Sequence, residues 1–151
     1  MATLLEQSKN LEKLSEKVIV EQMFQAIKKA EKEVIELNKG QLDKGKDVFG
    51  NVVGRYKATT QSFANADGIS KSKKEGDPYN FSWYGDFLDG FELAINNEEV
   101  TILSNVQGST EKLNFLTTNN LYGLNDENLK LIIQTKVIPF INKFARATLK
   151  I

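Results

Sequence analysis

From Phe91 to Asn96 apolar and polar side chains alternate, with Phe91, Leu93 and Ile95 set against Glu92, Ala94 and Asn96. A period of two places alternate side chains on opposite sides of an extended chain, so the stretch predicts a strand buried on one face. Asn96-Asn97-Glu98-Glu99 interrupts it, and Val100 to Ser104 supplies a second β-rich run. Asn tolerates the left-handed backbone of a tight turn, which suits Asn96 and Asn97 to close the two runs into a hairpin. This is the one convincing strand pair in the 151 residues, and an aromatic turn around Trp83-Tyr84-Gly85-Asp86-Phe87 feeds it. One hairpin leaves an apolar face to be covered, and helical stretches lie on both sides of it. The expected class is α+β: a long N-terminal helix, an irregular central loop, an antiparallel hairpin or small sheet, and a C-terminal helix.

The first helical stretch runs from residue 3 to about 39 without Gly or Pro and is rich in Glu, Lys, Leu and Ala. Leu11, Leu14 and Val18, then Phe24, Ile27, Ala30, Val34 and Leu37, recur three or four apart, which draws one apolar stripe along a helix. A shift between Val20 and Met23 either breaks the helix or rotates the stripe, and Gly40 is the expected stop. The second helical stretch follows a turn at 107–111 and a helix from Glu111 to about Asn119. Asn125 is the expected cap of the last helix, with Asp126 and Glu127 in its first turn, where the helix dipole favours negative charge. Leu129, Ile132, Ile133, Val137, Phe140, Ile141, Phe144, Ala145 and Thr148 are expected inward, and Pro139 predicts a kink or restart.

Between these stretches, residues 40–80 carry six glycines and only fragments of β pattern, with a short helix expected around Thr59 to Ala64. Its tip, Gly68 to Gly76, is polar and basic. The length is that of one domain, divided as 1–39 (N-terminal helix), 40–80 (extended loop region), 81–105 (hairpin) and 109–151 (C-terminal helices).

Several chemistries find no support. The chain has neither Cys nor His, which removes thiolate catalysis, disulfides and the commonest acid–base and metal-binding side chain. Twenty basic and twenty acidic residues give zero formal charge, so no specific nucleic-acid binding is expected. No run of about 20 apolar residues predicts a membrane span, and no secretory pattern opens the chain. Asp43 to Asn51 faintly resembles a calcium loop, but its twelfth position is Gly54 where a bidentate Glu is needed, so Asp43 and Asp47 are expected to bond loop amides. Asp86, Asp89 and Glu92 form a carboxylate group with no nucleophile or metal partner near it, and Lys71, Lys73 and Lys74 make a weak basic patch. No catalytic residue, metal or cofactor is assigned, and no enzyme is expected.

The order of the pieces is informative in itself. LNKGQLDKGKDVFGNVVGRY, GDPYNFSWYGDFLDGFEL and NLYGLNDENLKLIIQTKVIPFI resemble, in this order, a family of small structural proteins of tailed bacteriophages and prophages of Bacteroidetes, including crAss-like phages. Asn38, Gln41, Leu42, Gly45, Asp47, Gly50, Gly54 and Tyr56 match the first family stretch. Gly85, Asp86, Phe87 and Phe91 match the second, and Tyr122, Gly123, Leu124, Asn125, Glu127 and Asn128 the last. Tyr84 stands where members carry Thr, and the stretch before Leu124 is shortened. The plan is also similar to neck and tail-completion proteins of other tailed phages.

The resemblance implies a non-enzymatic virion protein, assembled in the bacterial host cytoplasm, that serves as a head-to-tail connector, neck or tail ring subunit. Its partners would be copies of itself, in rings of roughly six or twelve, and neighbouring portal, neck or tail proteins. The contact residues expected from the sequence are Ile69, Ser70, Lys71, Ser72, Lys73 and Lys74 in the loop tip, with exposed parts of the N-terminal helix. A capsid-associated auxiliary or cargo protein, and a non-virion phage enzyme or regulator, are the alternative roles.

Overall fold

The computed structural model describes residues 3–69, 71–83, 86–96, 99–105 and 119–151, and the side chains of Asp86 and Asn119 are outside the description. The fold is a mixed α+β arrangement with helices at both ends and a two-stranded antiparallel sheet. The expected turn at 107–111 and most of the helix after it lie outside the described residues.

The N-terminal helical stretch is three helices instead of one: α1 (Leu4–Glu12), α2 (Glu16–Lys29) and α3 (Glu31–Asp43). The breaks do not fall between Val20 and Met23. The first lies at Lys13 to Ser15, where Ser15 turns extended and its hydroxyl accepts from the Val18 amide at 3.4 Å, capping α2. The second is the single residue Ala30, which leaves helical geometry while still donating to Ala26 and Ile27 carbonyls. Thr3 and Glu6 close a capping box at the start of α1. Gly40 does not stop α3. Gly in a helix costs about 1 kcal/mol, and here Asn38, Gln41 and Leu42, all buried, hold the turn on either side of it.

The strands are β1 (Phe91–Ile95) and β2 (Val100–Ser104), in antiparallel register from Phe91 opposite Ser104 to Ile95 opposite Val100. Along β1, Phe91, Leu93 and Ile95 are the less exposed set, as the alternation requires. The Asn96 side chain accepts from the Glu99 amide at 2.8 Å and so closes the turn. Helices α2 and α3 lie against β1. Ahead of the hairpin, α4 (Ala58–Ala66) precedes the loop tip and α5 (Asp86–Asp89) is a single turn.

The C-terminal rod begins at Asn125, whose side chain caps α6 (Asp126–Ile132) by accepting from the Asn128 amide at 2.9 Å. A π turn, Ile133–Val137, joins it to α7 (Ile138–Leu149). Pro139 has no amide proton to give the preceding turn, and a π turn accommodates that loss. The wider turn also changes which residues face inward. Ile132 and Val137, five apart, are both buried, whereas Leu129 and Ile133 are exposed, contrary to the regular spacing expected of them. The core joins Ala26, Val34 and Leu42 to Leu88, Phe91, Ile102, Leu121, Ile132 and Val137.

Two distant stretches that carry the family resemblance meet in this core. The Asn38 amide donates to the carbonyls of Leu121 (3.0 Å) and Gly123 (2.8 Å), and Gln41 donates to Gly123 and accepts from the Asn125 amide at 2.9 Å. The Val48 amide adds a bond to the Asn120 carbonyl. These bonds hold α3 to the turn that starts the last helix.

Candidate interaction surface

The central region is bonded inward far more than its glycine content suggests. Asp47 is buried, and one carboxylate oxygen accepts from the amides of Phe49 (2.9 Å) and Asn51 (2.8 Å). That is the loop-amide role expected of it, whereas Asp43 instead pairs with Lys71 at 2.5 Å. Gly45 has a left-handed backbone, and a β-carbon there would lie 2.6 Å from Pro78 Cβ and from the Tyr79 carbonyl oxygen. Strand-like bridges tie Lys46 to Val52 and Arg55 to Pro78, and the Arg55 guanidinium donates to the Gly76 carbonyl at 2.7 Å. Tyr56, Tyr79, Phe81, Phe87, Phe91 and Tyr122 then form a line of edge-on and tilted ring contacts into the core. Phe87 and Phe91 are thus fold residues, as expected, while Trp83 is half-buried and donates to Asp67.

The expected contact residues of the loop tip do not form one outward set. Lys71, Ser72 and Lys74 are exposed, Ile69 is half-buried, and Ser70 lies outside the described residues. Lys73 is only 3% exposed, and its ammonium donates to Asn80 Oδ1 and to the Ser82 carbonyl. It belongs to the interior of the loop, which corrects its place among outward contacts. The reason is geometric: the segment folds back at Gly76 against Tyr56 and Asn80, and carries Lys73 underneath.

Phe49 and Phe63 of the central region are exposed apolar side chains, but the set of three in one short helix lies in α1. In α1 the inward positions are Gln7 and Asn10, followed by Leu14 just past its end, and Asn10 is 6% exposed with Lys13 bonded to its side-chain oxygen at 3.0 Å. Leu4, Leu5 and Leu11 are 90%, 67% and 58% exposed. An amphipathic helix ordinarily buries its leucines; α1 buries an amide and leaves its leucines in water. It rests on α7, and Lys150 is near enough to Glu6 to help hold that carboxyl below its usual range, behind the larger effect of the Thr3 hydrogen bonds. Exposed Ile151 follows directly. A second apolar group, Leu129, Leu131, Ile133 and Ile138, is exposed around the π turn.

Leu11 belongs to the predicted apolar stripe and is exposed instead, and Leu4 and Leu5 lie outside that stripe. The second group was missed. Its signal is the five-residue spacing from Ile132 to Val137, which a 3.6-residue repeat cannot bury together with Leu129 and Ile133.

The acidic residues Asp89 and Glu92 are exposed, and Asp89 lies 3.9 Å from the Lys39 ammonium. Among the described residues no group of three or more acidic side chains is placed to hold a metal ion. Among them, too, no helix is long and apolar enough to cross a membrane. No family model, curated protein or solved structure matches this chain.

Proposed function

We propose that the chain is a non-enzymatic structural subunit of a bacteriophage virion, a head-to-tail connector, neck or tail ring component built from several copies. Two lines support this reading. The phage assignment rests on the resemblance of the three stretches, which lie within residues 37–141. The assembly assignment rests on one observation, that α1 presents Leu4, Leu5 and Leu11 to water while its buried position is Asn10. Exposed leucines in one helix are what a subunit contact would cover.

The placement of the second apolar group supports the ring form. Two separate exposed apolar groups, one on α1 and one around the π turn, suit head-to-tail contacts, in which one group of each copy meets the other group of the next. Head-to-tail contacts close into rings when the rotation per copy divides a full turn. The test is the composition and imaging of purified particles from a phage carrying this gene. The reading expects the chain at fixed low copy number at the junction of head and tail. Its absence from mature particles would overturn the virion assignment.

A further inference from the structure

Lys73 is the one buried basic side chain among the described residues, and the assembly reading makes no use of it. Its ammonium donates to Asn80 Oδ1 and, at 2.5 Å, to the Ser82 carbonyl, and it lies 5.3 Å from the centre of the Tyr56 ring. Asn80 is the hub of the pocket. Its oxygen also accepts from the Tyr56 hydroxyl at 3.0 Å and from the Ser82 amide, and its nitrogen donates to the Ser72 carbonyl. Lys73 thereby ties the outgoing limb of the loop tip to the returning limb at 80–82.

We propose that Lys73 is a pH-sensitive latch: its ammonium, buried against neutral acceptors, is the weak point of the loop, and loss of its proton tightens the closure of residues 71–82.

The charges around it favour this direction. The salt bridges of the described residues include none at Lys73. Asp43, at the end of α3, is the carboxylate that acts on Lys73, and it is already paired with Lys71, whose own positive charge opposes that of Lys73. Tyr56, from the limb beneath, contributes a neutral hydroxyl, and burial pushes its ionisation above the usual tyrosine range. Burial is also the largest influence on Lys73, followed by Lys71 and partly offset by Asp43, and together they bring its pKa down from 10.5 to about 8. An amine that has lost its proton still carries two N–H donors for Asn80 and Ser82, so the bonds survive while the cost of burying a charge disappears.

The sign follows from linkage. When the loop opens, Lys73 returns to water and to a pKa near 10.5. Between about pH 8 and that value the open form therefore binds more protons than the closed form, and closure strengthens as pH rises. Below about pH 8 both forms carry the proton, and closure is at its weakest and independent of pH.

The experiment is amide hydrogen exchange across this pH range, expressed as protection relative to an unstructured peptide and read at Gly76 and Tyr56. The Gly76 amide bonds to the Tyr56 carbonyl, and the Tyr56 amide to the Asp77 carbonyl. The expected result is flat protection below about pH 8, then a rise approaching tenfold per pH unit above it. Lys73→Met, which keeps the length and removes the charge, should give high protection without a pH step. Lys73→Arg, charged throughout, should give low protection without one. A wild-type profile with no step, or the same step in either variant, would overturn the latch. The wild-type profile alone decides the matter if neither variant folds.

Discussion

The central loop region and the N-terminal helix reverse what their compositions suggest. Residues 44–83 are rich in glycine and charge, yet they turn their polar groups inward: Asp47 onto loop amides, Lys73 onto Asn80 and Ser82, and Arg55 onto the Gly76 carbonyl. Helix α1 has good formers and a capping box, yet it buries Asn10 and exposes three leucines. On the proposed reading, stability and contact with other copies fall to opposite kinds of sequence. The irregular part satisfies these polar groups internally, though Phe49 and Phe63 stay exposed, and α1 leaves its leucines in water. Substitutions in the first should act on folding, and substitutions in the second on association.

The largest folding effect is expected at Asn38→Ala. Both bonds from its amide end on carbonyls of the 121–123 turn, and the residue is fully buried. Taking this donor from the Leu121 carbonyl, and leaving the Gly123 carbonyl to Gln41, beside a new void should cost about 3 kcal/mol, measured by denaturant unfolding. A loss below about 1 kcal/mol would mean that the turn finds other donors.

Gly45→Ala should follow at about 2 kcal/mol, because it combines a left-handed backbone with a clash against Pro78 and Tyr79. Asp47→Ala removes the oxygen that accepts from two amides and should cost about 1.5 kcal/mol, with increased proteolysis near Phe49. Phe49 itself is 71% exposed at the tip of this turn, so cutting there reports directly on the turn's order.

The smallest effect belongs to the exposed Glu33–Lys136 pair at 2.6 Å. The hydrogen bond from Lys136 is the largest influence holding the Glu33 carboxyl below its usual range. The pair's contribution is therefore present above the carboxyl's unfolded value and lost as pH falls through its folded one. Glu33→Gln should shift the melting midpoint less than any substitution above and should remove that acid dependence.

The sequence was most readable where one local rule governs the outcome. The strand alternation at Phe91 to Ile95 appears with its expected faces, and Asn125 caps the last helix with Asp126 and Glu127 behind it. The N-terminal breaks had local signals too: Thr3 with Glu6 is a capping-box pattern, and Ser15 before Glu16 marks a new helix start. Unbroken helix propensity across residues 3–39 masked them. The persistence of α3 through Gly40 and the burial of Lys73 depend on partners at Leu121, Gly123, Asn80 and Ser82, and no rule of spacing encodes those contacts. The same holds for the π turn, where the chain gives up the regular stripe to bury Ile132 and Val137 together.

The central claim is that the leucines of α1 are a contact surface between copies. It is tested most directly by sedimentation of the purified chain beside a Leu4→Ser, Leu5→Ser, Leu11→Ser variant over a wide concentration range. The account predicts that the parent sediments as a discrete multimer and that the variant has the mass of one chain, about 17.0 kDa, with its helical content unchanged. A parent that stays monomeric at every concentration, or a variant that assembles as the parent does, would contradict it.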